Sequence, residues 1–115
     1  MTRTLFGTLG LLAAVFVWGA MATQSAWAQN AHVAQALDHA KQAVEHGKMG
    51  HAPVLVTHAE ESLKHAEMAQ KEVQSPHLVE GVKALKDAVE HGKMGHADVA
   101  TKAAESAVTH LAQVK

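Results

Sequence analysis

A ten-residue segment that occurs twice constrains the fold of this 115-residue chain more than any other feature. The segment AVEHGKMGHA occupies residues 43–52 and, unchanged, residues 88–97. Aligning residues 31–70 with 76–115 at the same offset of 45 gives 16 identities in 40 positions. The chain is therefore predicted to contain a duplicated unit whose two copies fold in the same way.

The residues around each GKMG predict a helical hairpin. Two Gly in four positions interrupt the helical pattern, whereas the flanking segments are rich in Ala, Glu, Lys and Leu. Ser75 and Pro76 suit an N-cap and a first helical position, so a third helix is expected to begin there. The predicted fold is an all-α, up-down-up-down four-helix bundle of two duplicated hairpins (31–70 and 76–115), with helices near 31–46, 52–71, 76–91 and 97–113.

The first 28 residues have the pattern of a secretory signal peptide. Arg3 gives the positive start, an apolar run follows from Leu5 to Ala22, and residues 26–28 (Ala-Trp-Ala) form the small-residue cleavage pattern. We expect cleavage to leave an exported His-rich domain at residues 29–115, in the periplasm and without stable membrane association. The alternative is an uncleaved membrane anchor, because about 18 mostly apolar residues just span a bilayer.

The composition excludes several functional classes. The chain has no Cys, which rules out disulfides, thiolate nucleophiles, Cys-based zinc sites and iron–sulfur clusters. All four aromatic residues lie in the first 27 positions, so the domain has no aromatic surface on which nucleic acid bases stack. The formal charge of −1 gives no basic surplus for a polyanion. We therefore expect no nucleic acid partner.

The ten histidines are mostly spaced by seven, which places successive histidines of one helix on the same face. Two turns of helix, about 10 Å, separate them, so two histidines of one helix cannot bind the same ion. In an antiparallel hairpin, however, each histidine faces a histidine of the other helix. The residue numbers of two facing positions add up to the same value for every pair of one hairpin. The sum is 97 in the first hairpin and 187 in the second. The predicted pairs are His32–His65, His39–His58, His46–His51, His77–His110 and His91–His96.

The pair that the repeat predicts in the middle of the second hairpin is missing as a unit. Ala84 and Ala103 occupy the two positions, and their numbers also add to 187. Independent surface histidines would not show this matching, whereas histidines that function only as pairs would. The pattern favours the interpretation that facing histidines act together.

With each histidine at heptad position g, small apolar residues fall at positions a, d and e, which predicts the core face. No Phe, Trp or Tyr follows residue 28, so this core depends on Ala, Val and Leu. The predicted core residues are Val33, Ala36, Leu37, Ala40, Ala43, Val44, Ala52, Leu55, Val56, Ala59, Ser62, Leu63, Ala66, Ala69, Leu78, Val82, Leu85, Val89, Ala97, Ala104 and Leu111.

Paired imidazoles suit Cu(II), Ni(II) and Zn(II), with the remaining positions filled by water, oxygen or thioether ligands. Glu61 lies on the face of His58 and His65, and Met49 and Met94 lie in the turns between paired histidines. These side chains are candidate additional ligands. The spacing does not rank copper against nickel or zinc.

The chain resembles the small metal-binding protein (SmbP) family, periplasmic proteins of ammonia-oxidising bacteria. The resemblance covers residues 31–115 and rests on HAKQAVEHGKMGH, HAEESLKHAE and the second EHGKMGH. It implies a periplasmic four-helix bundle that binds several divalent ions, copper foremost, and buffers or carries copper. The ligands that the resemblance implies are His32, His39, His46, His51, His58, His65, His77, His91, His96 and His110.

The sequence therefore predicts a periplasmic protein that sequesters, buffers or carries copper, with nickel and zinc as other possible ions. We expect no enzymatic activity, because the spacing forces no catalytic triad or carboxylate pair. The alternatives are a haem-binding bundle with Met and His axial ligands and a structural bundle that responds to pH through its histidines. The sequence names no protein that would receive copper from it.

Overall fold

The computed structural model describes residues 30–115, which form four α-helices joined by short connections. The helices are α1 (Ala31–Lys48), α2 (Ala52–Gln70), α3 (Pro76–Lys93) and α4 (Ala97–Leu111). Each packs closely against two neighbours: α1 and α3 both contact α2 and α4. This arrangement confirms the predicted all-α four-helix bundle. The predicted signal peptide (residues 1–28) and its cleavage site before Gln29 lie outside the described residues.

Helices α1 and α3 begin at residues whose side chains cap the backbone, whereas α2 and α4 begin without a side-chain cap. The side-chain oxygen of Asn30 accepts hydrogen bonds from the backbone N–H groups of His32 and Val33, at 3.0 and 3.2 Å. The hydroxyl of Ser75 accepts a hydrogen bond from the N–H of Leu78 at 3.4 Å, and Pro76 is the first residue of α3. The predicted cap at Ser75 is confirmed.

The helix ends differ from the sequence prediction by one or two residues. We expected α1 and α3 to end at His46 and His91, but both continue through the Gly-Lys of the GKMG motif. The turn comes at the second Gly of each motif, because Gly50 and Gly95 have φ values of 78° and 79°. Only Gly adopts this left-handed conformation without strain. Helices α2 and α4 end one and two residues earlier than predicted.

The core is built from the heptad positions that the histidine spacing predicted. Positions a and d are almost all buried, with Leu55, Leu78, Leu85 and Leu111 as the largest fully buried apolar side chains. Most predicted e positions are only partly buried and cover the core from the side. Ala97 was also predicted to be buried, but it is only partly so, because it begins α4 at the end of the bundle.

The first Gly of each motif permits close contact between the two hairpins. A Cβ atom at Gly47 would overlap the Thr101 hydroxyl, and a Cβ at Gly92 would lie 2.5 Å from Cγ2 of Val56. Thr101 follows Val56 by the repeat offset of 45, so the two contacts are equivalent. In each hairpin, the first Gly of the motif therefore leaves room for a side chain of the opposite hairpin.

The Lys of each motif also contacts the opposite hairpin. Lys48 Nζ lies 3.2 Å from Oε1 of Glu105, and Lys93 Nζ lies 2.7 Å from Oε1 of Glu60. All four side chains are about half exposed, and such pairs contribute at most about 1 kcal/mol each. Their main effect is to favour one arrangement of the two hairpins.

In the part of the chain from residue 30 onwards, none of the helices combines the length and the apolar character that crossing a bilayer requires.

The contact at Gly92 predicts a measurable coupling with Val56. Gly92→Ala should lower the free energy of unfolding by about 1–3 kcal/mol, because overpacking outweighs the better helix propensity of Ala. Val56→Ala removes the methyl group that the new Cβ would meet, so the double variant should lose less than the sum of the two single losses. Urea unfolding of the four proteins of this cycle measures the coupling. Strict additivity would contradict the close contact.

Candidate metal centre

The six histidines of the first hairpin form one column along the seam between α1 and α2. All three predicted pairs face each other, with ring centroids 5.7 Å apart for His32 and His65, 5.9 Å for His39 and His58, and 6.0 Å for His46 and His51. The planes of the rings in each pair lie within 32° of each other. The pairing predicted from the constant sum of 97 is therefore present in the structure.

The column contains two further contacts that the sequence prediction did not include. The rings of His46 and His58 lie 5.3 Å apart with an interplanar angle of 10°, and those of His39 and His65 lie 5.8 Å apart at 4°. These diagonal contacts are as close as the predicted ones. In spatial order, the column runs His51, His46, His58, His39, His65, His32, alternating between the two helices.

The second hairpin contains two separate pairs. His77 and His110 have ring centroids 5.7 Å apart, and His91 and His96 have centroids 6.2 Å apart. Ala84 and Ala103 occupy the positions between them, as the sequence indicated. Ala84 is buried in one apolar cluster of the core and Ala103 is partly buried against the other, so apolar side chains separate the two pairs.

In each hairpin, the histidine pair farthest from the GKMG turn has its two Nδ1 atoms at a distance that suits a shared ion. The Nδ1 atoms of His32 and His65 are 3.4 Å apart, and so are those of His77 and His110. Two metal–nitrogen bonds of about 2.0–2.1 Å at a tetrahedral angle place their nitrogens about 3.3 Å apart. The nitrogen separation in both pairs, which also suits a hydrogen bond between the two imidazoles, therefore matches the separation that a shared ion requires.

Three histidine nitrogens are buried without a hydrogen-bond partner among residues 30–115. They are the Nδ1 atoms of His39, His46 and His91. An unsatisfied buried polar atom costs about 1–3 kcal/mol, so native structures contain few of them. In the tautomer that leaves Nδ1 unprotonated, such a nitrogen has the lone pair that a metal ion requires, so these three atoms are candidate ligands.

The pKa of His58 is lowered from its usual value. Partial burial is the largest cause, and the neighbouring imidazoles of His46 and His39 add to it by disfavouring a second positive charge. Asp38 acts in the opposite direction. His58 therefore stays neutral, and able to bind metal, to a lower pH than an ordinary histidine.

The hairpin turns fix the pairs nearest to them. The backbone N–H of His51 donates to the carbonyl oxygen of His46 at 2.9 Å, and His96 donates to His91 in the same way, also at 2.9 Å. His51 and His96 are the N-cap residues of α2 and α4. Each turn thus places its two histidines next to each other, with their rings 6.0 and 6.2 Å apart.

The carboxylate that we considered as an additional ligand does not complete a site. Within residues 30–115, no three or more side chains of His, Asp or Glu are grouped so that they could hold one ion. Oε1 of Glu61 instead lies 4.0 Å from Nζ of Lys64. Met49 and Met94, the other candidates, have exposed side chains in the turns. Among residues 30–115, the structure therefore presents imidazoles without a third protein ligand grouped beside them.

These features define a class of protein, a four-helix bundle whose helix seams carry paired imidazoles. The comparison with protein families agrees. The model of the small metal-binding protein family matches residues 7–114, and the chain belongs to this family. A search of curated proteins gave no match to the chain.

The missing pair of the second hairpin provides a direct test of pairwise binding. Ala84→His together with Ala103→His should add one bound Cu(II) per chain, because the two new imidazoles would face each other as His39 and His58 do. Either change alone should leave the maximum number of bound ions unchanged. Mass spectrometry of the metal-saturated proteins counts the ions. Equal gains from each single change and from the pair would show that the histidines bind independently.

Proposed function

We propose that this protein is a periplasmic, non-enzymatic copper-binding protein that sequesters, buffers or carries copper through its paired histidines. The observation that carries the proposal is the row of facing imidazoles, three of which have buried and unpartnered nitrogens. Membership of a metal-binding family supports the general part of the proposal. The choice of copper, the periplasmic location and the role in sequestering, buffering or carrying copper are the more specific claims of the proposal.

Copper is favoured by the chemistry of the ligands. Divalent copper binds nitrogen ligands more tightly than nickel, zinc or the earlier metals of its row. It also tolerates sites in which two imidazoles are completed by water, as the isolated pairs here require. Nickel and zinc would bind the same pairs more weakly.

A titration with Cu(II) at pH 7 tests this function. We expect several ions to bind per chain, and competition experiments should rank Cu(II) above Ni(II) and Zn(II). A Soret band of haemin that neither shifts nor sharpens when the protein is added would separate this function from the haem-binding alternative. Failure to bind Cu(II) in preference to Ni(II) and Zn(II) would contradict the proposal.

Bound copper should raise the stability of the protein. Only the folded state brings the paired imidazoles together, so an ion in hundredfold excess over its Kd adds about 2.7 kcal/mol to the free energy of unfolding per site. We expect the melting temperature to rise with Cu(II) at pH 7. Mg²⁺ is the matched control, because it prefers oxygen ligands and should give no comparable rise.

The stabilisation by copper should shrink as the pH falls through about 6.5, because protonated imidazole does not bind metal. In the metal-free protein, the lowered pKa of His58 also makes the free energy of unfolding decrease as the pH falls. The unfolded chain takes up the proton more readily than the folded one, so stability falls as the pH drops below about 6.5. Thermal melts at several pH values, with and without Cu(II), measure both effects. A copper effect that persists undiminished at pH 4 would point to carboxylate ligands.

Export to the periplasm predicts a defined N-terminus. Expression of the full chain in a Gram-negative host should give a periplasmic protein that begins at Gln29, as measured by intact mass. Ala28→Arg should block processing, because signal peptidase requires a small residue there. Gln29→Asn, on the other side of the expected cleavage site, is the control and should be processed. Recovery of the unprocessed wild-type chain in the membrane fraction would instead support the anchor.

A further inference from the structure

The histidines of the first hairpin do not form three separate pairs. Each of the four inner members, His46, His58, His39 and His65, has a histidine neighbour on both sides, at centroid distances between 5.3 and 6.0 Å. Only His51 and His32, at the two ends, have a single neighbour. Five contacts therefore join six residues in one unbroken chain.

The regularity of this chain follows from the geometry of the hairpin. Histidines seven residues apart on one helix are about 10 Å apart along its axis, and the histidines of the facing helix lie about halfway between them. Each step from one helix to the other therefore covers about 5 Å along the axis. Measured by the distance between ring centroids, the constant-sum pairs are therefore no closer than the diagonal pairs.

We infer that the first hairpin holds five overlapping two-histidine metal sites, which ions occupy in either of two registers. In the outer register the pairs are His51–His46, His58–His39 and His65–His32. In the inner register they are His46–His58 and His39–His65. This inference rests on the proposed function only in so far as facing imidazoles bind copper.

Overlap gives bound ions a route between sites. An ion held by His58 and His39 can exchange His58 for His65 while it stays bound to His39, because both rings lie within 6 Å of the His39 ring. The second hairpin has no such route, because Ala84 and Ala103 separate its two pairs. The two hairpins therefore differ in kind, with one continuous column and two isolated sites.

Removing histidines in pairs distinguishes overlapping sites from independent ones. The double variant His32→Gln, His51→Gln removes both ends of the column, and the four remaining histidines still form the inner register. The matched control His46→Gln, His65→Gln also removes two histidines but leaves only His58 and His39 in contact. If only the constant-sum pairs bound metal, both variants would keep the same single site in the first hairpin.

We expect the end variant to bind one Cu(II) fewer than the wild type and the matched control to bind two fewer. Native mass spectrometry at saturating Cu(II) and pH 7 measures the number of ions. Equal losses of two in both variants would overturn the inference and leave copper binding intact. If the wild type itself bound no Cu(II), the proposed function would fail instead, so the two failures are distinguishable.

A rescue experiment in the second hairpin tests the same inference by gain of a site. His77→Gln should abolish the site that His77 shares with His110. Adding Ala84→His should restore it, because residues 84 and 110 correspond to His39 and His65 at the offset of 45. Adding Ala103→His instead is the matched control. Residue 103 corresponds to His58, whose two histidine neighbours correspond to residues 84 and 91. Residue 84 is Ala in this variant and His91 already pairs with His96, so no new pair is gained.

We expect the His77→Gln, Ala84→His protein to bind as many Cu(II) ions as the wild type and the Ala103→His control to bind one fewer. Ala84 is buried, so circular dichroism must first show that the variant is helical. If that variant does not fold, the two removal variants decide the question alone. Failure of a folded Ala84→His variant to regain the ion would overturn the inference.

Discussion

The close approach of α1 and α2 is the constraint on which the rest of the structure depends. The buried residues that α1 places in the bundle are mostly Ala, and those of α2 are Ala, Ser and a single Leu. Packed helices lie about 8–10 Å apart, depending on the side chains between them, and small side chains give the short distances. The hydroxyl of Ser62 donates a 2.6 Å hydrogen bond to the backbone carbonyl of Ala36, which a larger spacing would not permit. At this spacing, imidazoles beside the seam reach each other.

The EHGKMGH motif combines structural and chemical roles in seven residues. Its two histidines are joined by a backbone hydrogen bond and held side by side. Its first Gly allows the other hairpin to approach, and its second Gly makes the left-handed turn. Its Lys pairs with a Glu of the opposite hairpin. Its Met is exposed in both copies.

Much of the fold could be predicted because two patterns in the sequence, the histidine spacing and the internal repeat, indicate the same helical hairpins. The seven-residue histidine spacing gave the helix faces, and the repeat of 45 gave the hairpins. The helix ends were less predictable, because Gly47 and Gly92 were interpreted as helix breakers although they are required inside the helix by contacts with Thr101 and Val56. That requirement comes from the opposite hairpin, which a local pattern does not contain.

The candidate site was predictable in its pairs but not in its continuity. The constant sum identifies which histidines face each other, but it assumes that the two histidines of a pair lie at the same height along the helix axes. The structure shows a stagger of about half a heptad, so His39 lies as close to His65 as to His58. The stagger depends on how the turn sets one helix against the other. That offset is absent from the spacing of the histidines alone.

The two hairpins divide stability and metal binding unequally. In α3, Ala84 takes the position that corresponds to His39 and belongs to the apolar cluster with Val82 and Leu85. The same position in α1 is a partly exposed histidine whose buried Nδ1 has no hydrogen-bond partner in the described chain. Burial of apolar side chains stabilises the second hairpin whether or not metal is present. The histidine of the first hairpin forgoes part of that stabilisation. Under the proposed function, ions that bind only the folded arrangement would add free energy of unfolding there, so the stability of the first hairpin would depend more strongly on bound metal than that of the second.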